Sequence, residues 1–183
     1  LGTDGLTTDE AERNYLAHDI AGRGKLAPAL VVRPRSIAEA CAVVRVTVEA
    51  GWAVVPRGGG MSYTGGYHVM SERTVLLDLR GLDRIDDIAE QDGYVMVEAG
   101  CTWAALHEAL ATRGLRTPFF GPLSGIAATI GGALSQNAAF FGSAQHGVSG
   151  DSVLGLEVIL ANGELLRTGS WAAEGLSLIH ISQ

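Results

Sequence analysis

The stretch Ala53-Val54-Val55-Pro56-Arg57-Gly58-Gly59-Gly60 limits what this chain can fold into more than any other. A short apolar run is the mark of a buried strand, and here it passes through a proline and an arginine into three consecutive glycines. Ordered glycine costs backbone entropy, so such a run marks a place where the chain takes unusual dihedrals or lets another group approach closely. The loop continues through Met61 and Ser62 to Gly65-Gly66. It lacks the Gly-Lys-Ser/Thr ending of a Walker A loop, because Tyr67 follows Gly66. It also lacks the helical periodicity that a Rossmann fingerprint needs after its glycines. Two readings stay open at the loop itself. One is a tight turn between strands; the other is a nest of backbone N–H groups around an anion, with the Arg57 donor fork and the Ser62 hydroxyl beside it.

A second glycine-rich segment, Gly121 to Asp151, favours the ligand reading. It keeps small residues at Gly131, Gly132, Ala133 and Ser135, where a large flat ligand could lie on backbone, and adds polar Thr129, Gln136 and Asn137. A loop this long and apolar is uncommon in a compact domain unless it has a function. Two such regions suggest a long, two-ended ligand.

The rest of the chain reads as mixed α/β with antiparallel elements, an α+β class rather than a βαβ alternation. A first helix is expected from Thr8 to His18, capped by Thr7 or Thr8. A strand follows at 29–34, and a capping box at Ser36 and Glu39 opens a helix that Gly51 closes. Extended runs at 74–79, 84–89 and 94–99 have short joints, as expected of neighbouring antiparallel strands. Thr102 caps a helix from Trp103 to about Arg113, with Trp103, Leu106 and Leu110 on its core face; a short helix fits about 129–136. Asn162-Gly163 predicts a two-residue type I′ hairpin. Three parts are expected: a helical lead-in at 1–27, the main domain at 28–175, and a tail at 176–183. That tail resembles a translated sequencing adapter and is set aside from the fold, the other reading being a native strand from Leu178. The chain starts at Leu1, and it is expected to be a piece of a longer protein.

The net charge of −7 argues against a nucleic-acid or anionic-membrane surface. No apolar run approaches the ~20 residues of a membrane span, so the cytoplasm is the expected location. Cys41 and Cys101 stand apart and are expected to be reduced thiols. Asp83, Asp86 and Asp87 read as a solvated joint, with no partners for a metal.

Four segments in order, VVRPRSIAEA (31–40), VVPRGGGMSYTGG (54–66), VEAGCTWAALHEAL (97–110), and TIGGALSQN (129–137) followed by GVSGDSVLGLEVILANGELLRTG (147–169), carry a family pattern. The chain resembles the flavin-binding domain of the FAD-linked oxidases of the vanillyl-alcohol oxidase and p-cresol methylhydroxylase type. The glycolate oxidase and D-lactate dehydrogenase flavin-subunit branch is the nearest in pattern, and the resemblance covers about residues 28–170. It implies two α/β subdomains with mixed, partly antiparallel sheets. It implies FAD, its pyrophosphate at Arg57, Gly58, Gly59, Gly60, Met61 and Ser62. The other contacts it implies are Thr129, Gly131, Gly132, Ser135, Asn137, Asp151 and Ile159, with the Glu157–Ile159 strand near the adenine. Met61 stands where many relatives carry a flavin-linked histidine, so the FAD is expected to be non-covalent. His68 does not match that position and reads as an ordinary loop residue, and His107 as a solvated helix residue. His146 reads as surface loop, with contact to flavin or substrate as the alternative. Phe119, Phe120, Phe140 and Phe141 are expected either under the loop or beside the cofactor. The implied activity is hydride removal from a small hydroxy compound such as a 2-hydroxy acid. Its substrate pocket and base would come from a C-terminal cap domain, so no catalytic residue is named here. The alternative is a nucleotide- or phosphate-binding module without catalysis.

Overall fold

The computed structural model describes residues 5–24, 26–119, 121–169 and 178–180. The chain divides into two compact units, Leu1–Leu82 with Ile159–Leu165, and Asp83–Val158 with Leu166–Gln183. Phe120 and residues 176, 177 and 181–183 lie outside the described residues.

In chain order the first unit holds β1 (Leu6–Thr7), α1 (Glu10–Leu16), β2 (His18–Asp19), β3 (Gly22–Arg23), β4 (Leu30–Val32), α2 (Ile37–Glu49), β5 (Ala53–Arg57) and β6 (Thr74–Asp78). Its main sheet has the order β1-β4-β6-β5. β1 runs antiparallel to β4, while β6 lies parallel to both β4 and β5. This corrects the expected antiparallel neighbourhood of 74–79. All five residues of β6 are buried, and a strand covered on both faces is the usual member of a parallel sheet. The core holds Val32, Val43, Val44, Val75 and Leu77, with Ile159 packed against it.

Local caps set the helix ends. Asp9, not Thr7 or Thr8, caps α1, its carboxylate accepting from the Glu12 amide at 2.8 Å. A carboxylate is at least as good an N-cap as a threonine, and the Thr7 hydroxyl accepts from the Asp9 amide instead. Ser36 accepts from Glu39 N as expected, while the Glu39 carboxylate reaches back to Arg35 N at 2.7 Å. Gly51 follows α2 at φ +71°.

The second unit holds β7 (Ile85–Ala89), β8 (Tyr94–Val97), α3 (Trp103–Ala111), α4 (Ile130–Ser135), α5 (Ser143–His146), β9 (Val153–Ile159, its last residue in the first unit), β10 (Leu165–Gly169, beginning in the first unit) and β11 (Leu178–His180). The sheet order is β10-β9-β11-β8-β7. The segment set aside as a tail thus supplies a strand, antiparallel to β8 and β9. Trp103, Leu106 and Leu110 lie in the core with Val95, Val97, Cys101, Phe119 and Ile130.

The turn at Asn162-Gly163 is not type I′. Only Gly163 has positive φ, and residues 160–164 join β9 to β10. Asn162 uses its side chain instead, Oδ1 accepting from Glu164 N at 3.0 Å and Nδ2 donating to the Glu164 carboxylate at 2.8 Å. Asparagine turns of this kind compete with the left-handed backbone.

Candidate cofactor site

The glycine loop leaves the end of β5 at Arg57, whose side chain is folded inward and buried at 6% exposure. Nη1 donates to the Gly58 carbonyl at 2.9 Å, and the guanidinium carbon lies 5.6 Å from the centroid of the Tyr67 ring. Gly60 has φ +74°, and a Cβ there would fall 2.2 Å from Arg57 Nη2. The left-handed dihedral favours glycine at 60, and a methyl there would push the guanidinium aside. Among the described residues, Arg57 Nε is buried without a hydrogen-bond partner. A buried, unpaired guanidinium donor is costly, and it leaves this loop with donor capacity suited to an anion. The residues present therefore fit the diphosphate of FAD, although the arginine points inside the loop rather than standing beside it.

Side chains around the loop hold its curl. Ser62 is buried; its hydroxyl accepts from the Thr64 amide at 3.1 Å and lies 3.0 Å from the Thr64 hydroxyl. The Tyr67 hydroxyl donates to the His18 carbonyl, with the Gly60 carbonyl at 3.2 Å. Burial pushes the Tyr67 phenol above its ordinary range despite the nearby Arg57, so it remains a donor. Asp19 accepts from the amides of Gly65 at 2.8 Å and Gly22 at 3.1 Å. Burial alone would raise its pKa, but the Gly65 and Gly22 amides, with His68 close by, hold the carboxyl below its ordinary value. His68 Nε2 lies 3.5 Å from Asp19 Oδ1. Its ring packs against Gly65, 2.9 Å from where a Cβ on that glycine would lie.

The second glycine-rich segment is organised differently. Thr129 is 2% exposed and caps α4, its hydroxyl accepting from Gly132 N at 3.3 Å. The Ile130 and Gly131 amides donate to the carbonyls of Cys101 and Ala99, each at 2.8 Å. A Cβ on Gly131 would stand 2.6 Å from Ala99 Cβ, so this glycine lets α4 lie directly on the chain after β8. Ser135 is exposed and donates to the Gly132 carbonyl at 2.8 Å. Asn137, at φ 46°, accepts from Gly150 N at 3.0 Å, and Asp151 accepts from Val148 N at 2.8 Å. The Asn137 bond ties the residue just after α4 to the far end of the segment, and the other two close local turns. Ile159 packs on the first unit's core, and Glu157 Oε1 accepts from Arg167 Nε at 2.9 Å.

Phe119 and Phe140 pack on Trp103 with ring centroids 5.5 and 5.1 Å away, which places them under the segment. Phe141 is exposed. His107 is exposed and His146 half-buried on α5. Asp83, Asp86 and Asp87 are exposed. Burial pushes the Cys101 thiol up to about 11, which makes it inert.

The sequence reading missed Asp19 and Tyr67. Both act through partners remote in sequence, Gly65 being 46 residues from Asp19 and His18 being 49 from Tyr67. The one available signal was the Asp19–Gly22 spacing, which suits a side-chain-closed turn.

Comparison with known proteins bears on the whole chain. Residues 28–169 match the family described as FAD binding domain. The glycolate oxidase subunit GlcD of Bacillus subtilis is 30% identical over 96% of this chain and 37% of its own length. The mitochondrial D-lactate dehydrogenase [cytochrome] of Arabidopsis thaliana is 32% identical over 92% of this chain and 30% of its own. The chain therefore spans about a third of the length of these relatives. An alkyldihydroxyacetonephosphate synthase structure superposes over 100% of the chain and 41% of its own with a TM-score of 0.87 at 20% identity, which establishes the fold. Matched over most of its length and carrying a glycine loop that fits a diphosphate, the chain belongs to the FAD binding domain family, and its cofactor is FAD.

Proposed function

We propose that this chain is the FAD-holding part of an oxidoreductase acting on a small hydroxy acid, of the kind named in its relatives: glycolate, D-lactate or D-2-hydroxyglutarate. The observation that carries the reading is the orphaned Nε of buried Arg57, set in a loop of glycines. In this reading the backbone of Gly58 to Ser62, with Arg57 behind it, binds the diphosphate without a covalent link at Met61. Thr129, Gly131, Gly132, Ser135, Asn137, Asp151 and Ile159 are the proposed contacts for the remainder, through main chain more than side chain. When bound, FAD supplies the acceptor for two electrons from a hydroxyl-bearing carbon. The chain's own contribution is to bind, orient and shield it; the substrate-binding groups and base are assigned to the parent protein outside this domain. Among the described residues no helix is long and apolar enough to cross a membrane. A cytoplasmic location belongs to the same proposal, and two of the relatives compared with it are named as mitochondrial proteins.

The test begins with ligand-dependent melting. FAD at a hundred times its Kd should add about 2.7 kcal/mol of stability, and it should outperform ADP. Equal shifts by ADP and FAD would instead indicate a nucleotide-binding module. Acid precipitation should leave all flavin in the supernatant. The full-length parent should lose its oxidised-flavin absorbance under anaerobic conditions on addition of one of the three acids, and bleaching by none of them would reject the substrate class.

A further inference from the structure

The region matched by the FAD binding domain family begins at residue 28, yet the glycine loop is laced to residues before that boundary. Ile20 N donates to the Ser62 carbonyl at 3.1 Å, the Tyr67 hydroxyl reaches the His18 carbonyl, and Leu26 pairs with Val69 in an antiparallel bridge. The β2–β3 hairpin, with His18 opposite Arg23 and Asp19 opposite Gly22, carries the central tie. There the fully buried Asp19 side chain accepts from Gly65 N, and Gly65 itself sits at φ +66° with the His68 ring 2.9 Å from where a Cβ would lie.

We infer that Asp19 is a positioning residue for cofactor binding and that the lead-in hairpin is the outer wall of the diphosphate loop. This rests on the reading of residues 57–62 as the diphosphate site. The physical reason is a chain of constraints. Gly60 and Gly65 are both left-handed, so the loop between them can relax into many other conformations unless its far end is held. A carboxylate accepting from backbone amides makes a charge-assisted bond stronger than a neutral one. With Gly65 fixed, Ser62 and Gly60 are fixed by the bonds from Ile20 and Tyr67, and the Arg57 guanidinium is confined against Gly60. Loss of the carboxylate frees the loop, and the cofactor must then bear the ordering cost on binding.

The experiment compares two buried carboxylates of the same unit, Asp19 and Asp78. The Asp78 backbone pairs opposite Arg57 in the sheet, but its side chain is held by Arg33 and Arg80 and, among the described residues, has no hydrogen bond to residues 58–66. Ligand-free melting temperature and FAD dissociation constant are measured for wild type, Asp19→Ala, Asp19→Asn and Asp78→Asn. Asp19→Ala should weaken FAD about tenfold, as loss of a charged hydrogen bond predicts. Asp19→Asn, which keeps one carbonyl acceptor, should recover part of the loss. Asp78→Asn should stay within about twofold at a similar loss of melting temperature. Equal weakening by Asp19→Ala and Asp78→Asn would show a merely structural role and overturn the proposal, as would unchanged affinity in Asp19→Ala.

Hydrogen exchange gives a second arm that needs neither ligand nor a stable alanine variant. In ligand-free Asp19→Asn the amides of residues 57–66 should exchange at least about threefold faster than in Asp78→Asn; equal exchange overturns the proposal. A wild-type chain that binds no FAD would sink the functional reading and with it the cofactor role of Asp19, while the exchange comparison still decides whether Asp19 orders the loop.

Discussion

In the 57–69 loop, Gly60 takes a left-handed backbone so that the Arg57 guanidinium can lie against it, and one donor of that guanidinium is left over. In the 121–151 segment, Gly131 lets α4 approach Ala99, and its amide is already bonded to the Ala99 carbonyl. The same residue type thus serves a loop with spare hydrogen-bonding capacity in one unit and a satisfied packing contact in the other. Glycine density in a sequence signals close approach; only the structure says whether the approaching group belongs to the chain or to a ligand.

The sharpest way to break this contrast is a pair of alanine substitutions. Gly60→Ala should weaken FAD about fiftyfold, because the new methyl both displaces the guanidinium, a loss of about 1.5 kcal/mol, and pushes the loop off its left-handed conformation, about 1 kcal/mol more. Its cost to the ligand-free fold should be about 1–2 kcal/mol, the penalty of left-handed backbone. Gly131→Ala should do the reverse. The methyl meets backbone and Cβ of Ala99, overpacking costs about 1–3 kcal/mol, and FAD affinity should fall less than tenfold. Urea titration and flavin-fluorescence titration measure the two quantities. If Gly131→Ala abolished flavin binding at unchanged stability, the second segment would be the more ligand-directed of the two.

Removing the guanidinium itself sharpens the same point with a smaller expected effect. Arg57→Met keeps the aliphatic bulk over Tyr67 and deletes the orphaned donor, so FAD should weaken about tenfold. The ligand-free protein should change little in stability, since the bond to the Gly58 carbonyl is lost but a buried charge with one unpaired donor is replaced by an apolar group. A loss of stability with unchanged affinity would mean that the arginine serves the loop's own structure alone.

What the sequence revealed followed the range of the interactions. The caps at Ser36 and Thr102 were legible because each accepts from an amide three residues ahead. The core face of α3 was legible because burial follows helical spacing. The placement of β6 was not, because its strand partners β4 and β5 are chosen by burial on both faces rather than by the short joint to β7. The glycine loop was read correctly as a special backbone, yet the groups that shape it, Asp19 and Tyr67, were invisible. Nothing near them in sequence hints at partners more than forty residues away. The Asn162 turn failed for the opposite reason, a local side-chain bond that displaced the expected backbone type.

Acid and alkali should separate the two units. In the first unit, burial alone would raise the Asp78 pKa, but Arg80 and Arg33 hold it below its ordinary 3.8. Asp19 is likewise lowered, by the Gly65 and Gly22 amides. A depressed folded-state pKa gives stability that is present above the unfolded value and lost as pH falls through the folded one. Below about pH 4 the first unit should therefore lose stability, and Asp78→Asn should flatten that limb. In the second unit, burial raises Cys101 from 9.0 to about 11. The sign reverses: this contribution is complete below pH 9 and is lost as pH rises toward 11. It amounts to about 2–3 kcal/mol. Cys101→Ala should remove this part of the alkaline loss while lowering stability at neutral pH. Exchange mass spectrometry across pH, read separately for residues 5–82 and 83–158, follows both limbs. A common midpoint for the two regions at both extremes would contradict the assignment.

The smallest expected effect concerns Asn137, the only described non-glycine residue with positive φ. Its side chain bonds Gly150 N at 3.0 Å, so it fixes where the chain after α4 meets the end of the segment. Asn137→Ala loses that bond and keeps a backbone that alanine resists, which should cost about 2 kcal/mol. Asn137→Gly loses the bond but relieves the backbone, so the net cost should be about 0.5–1 kcal/mol. The order Ala worse than Gly follows from the left-handed dihedral. The opposite order would mean that the dihedral carries little strain and that the bond to Gly150 is the whole contribution. FAD affinity should track neither variant beyond about threefold, because in this segment, unlike the glycine loop, the polar groups are already paired with the protein's own backbone.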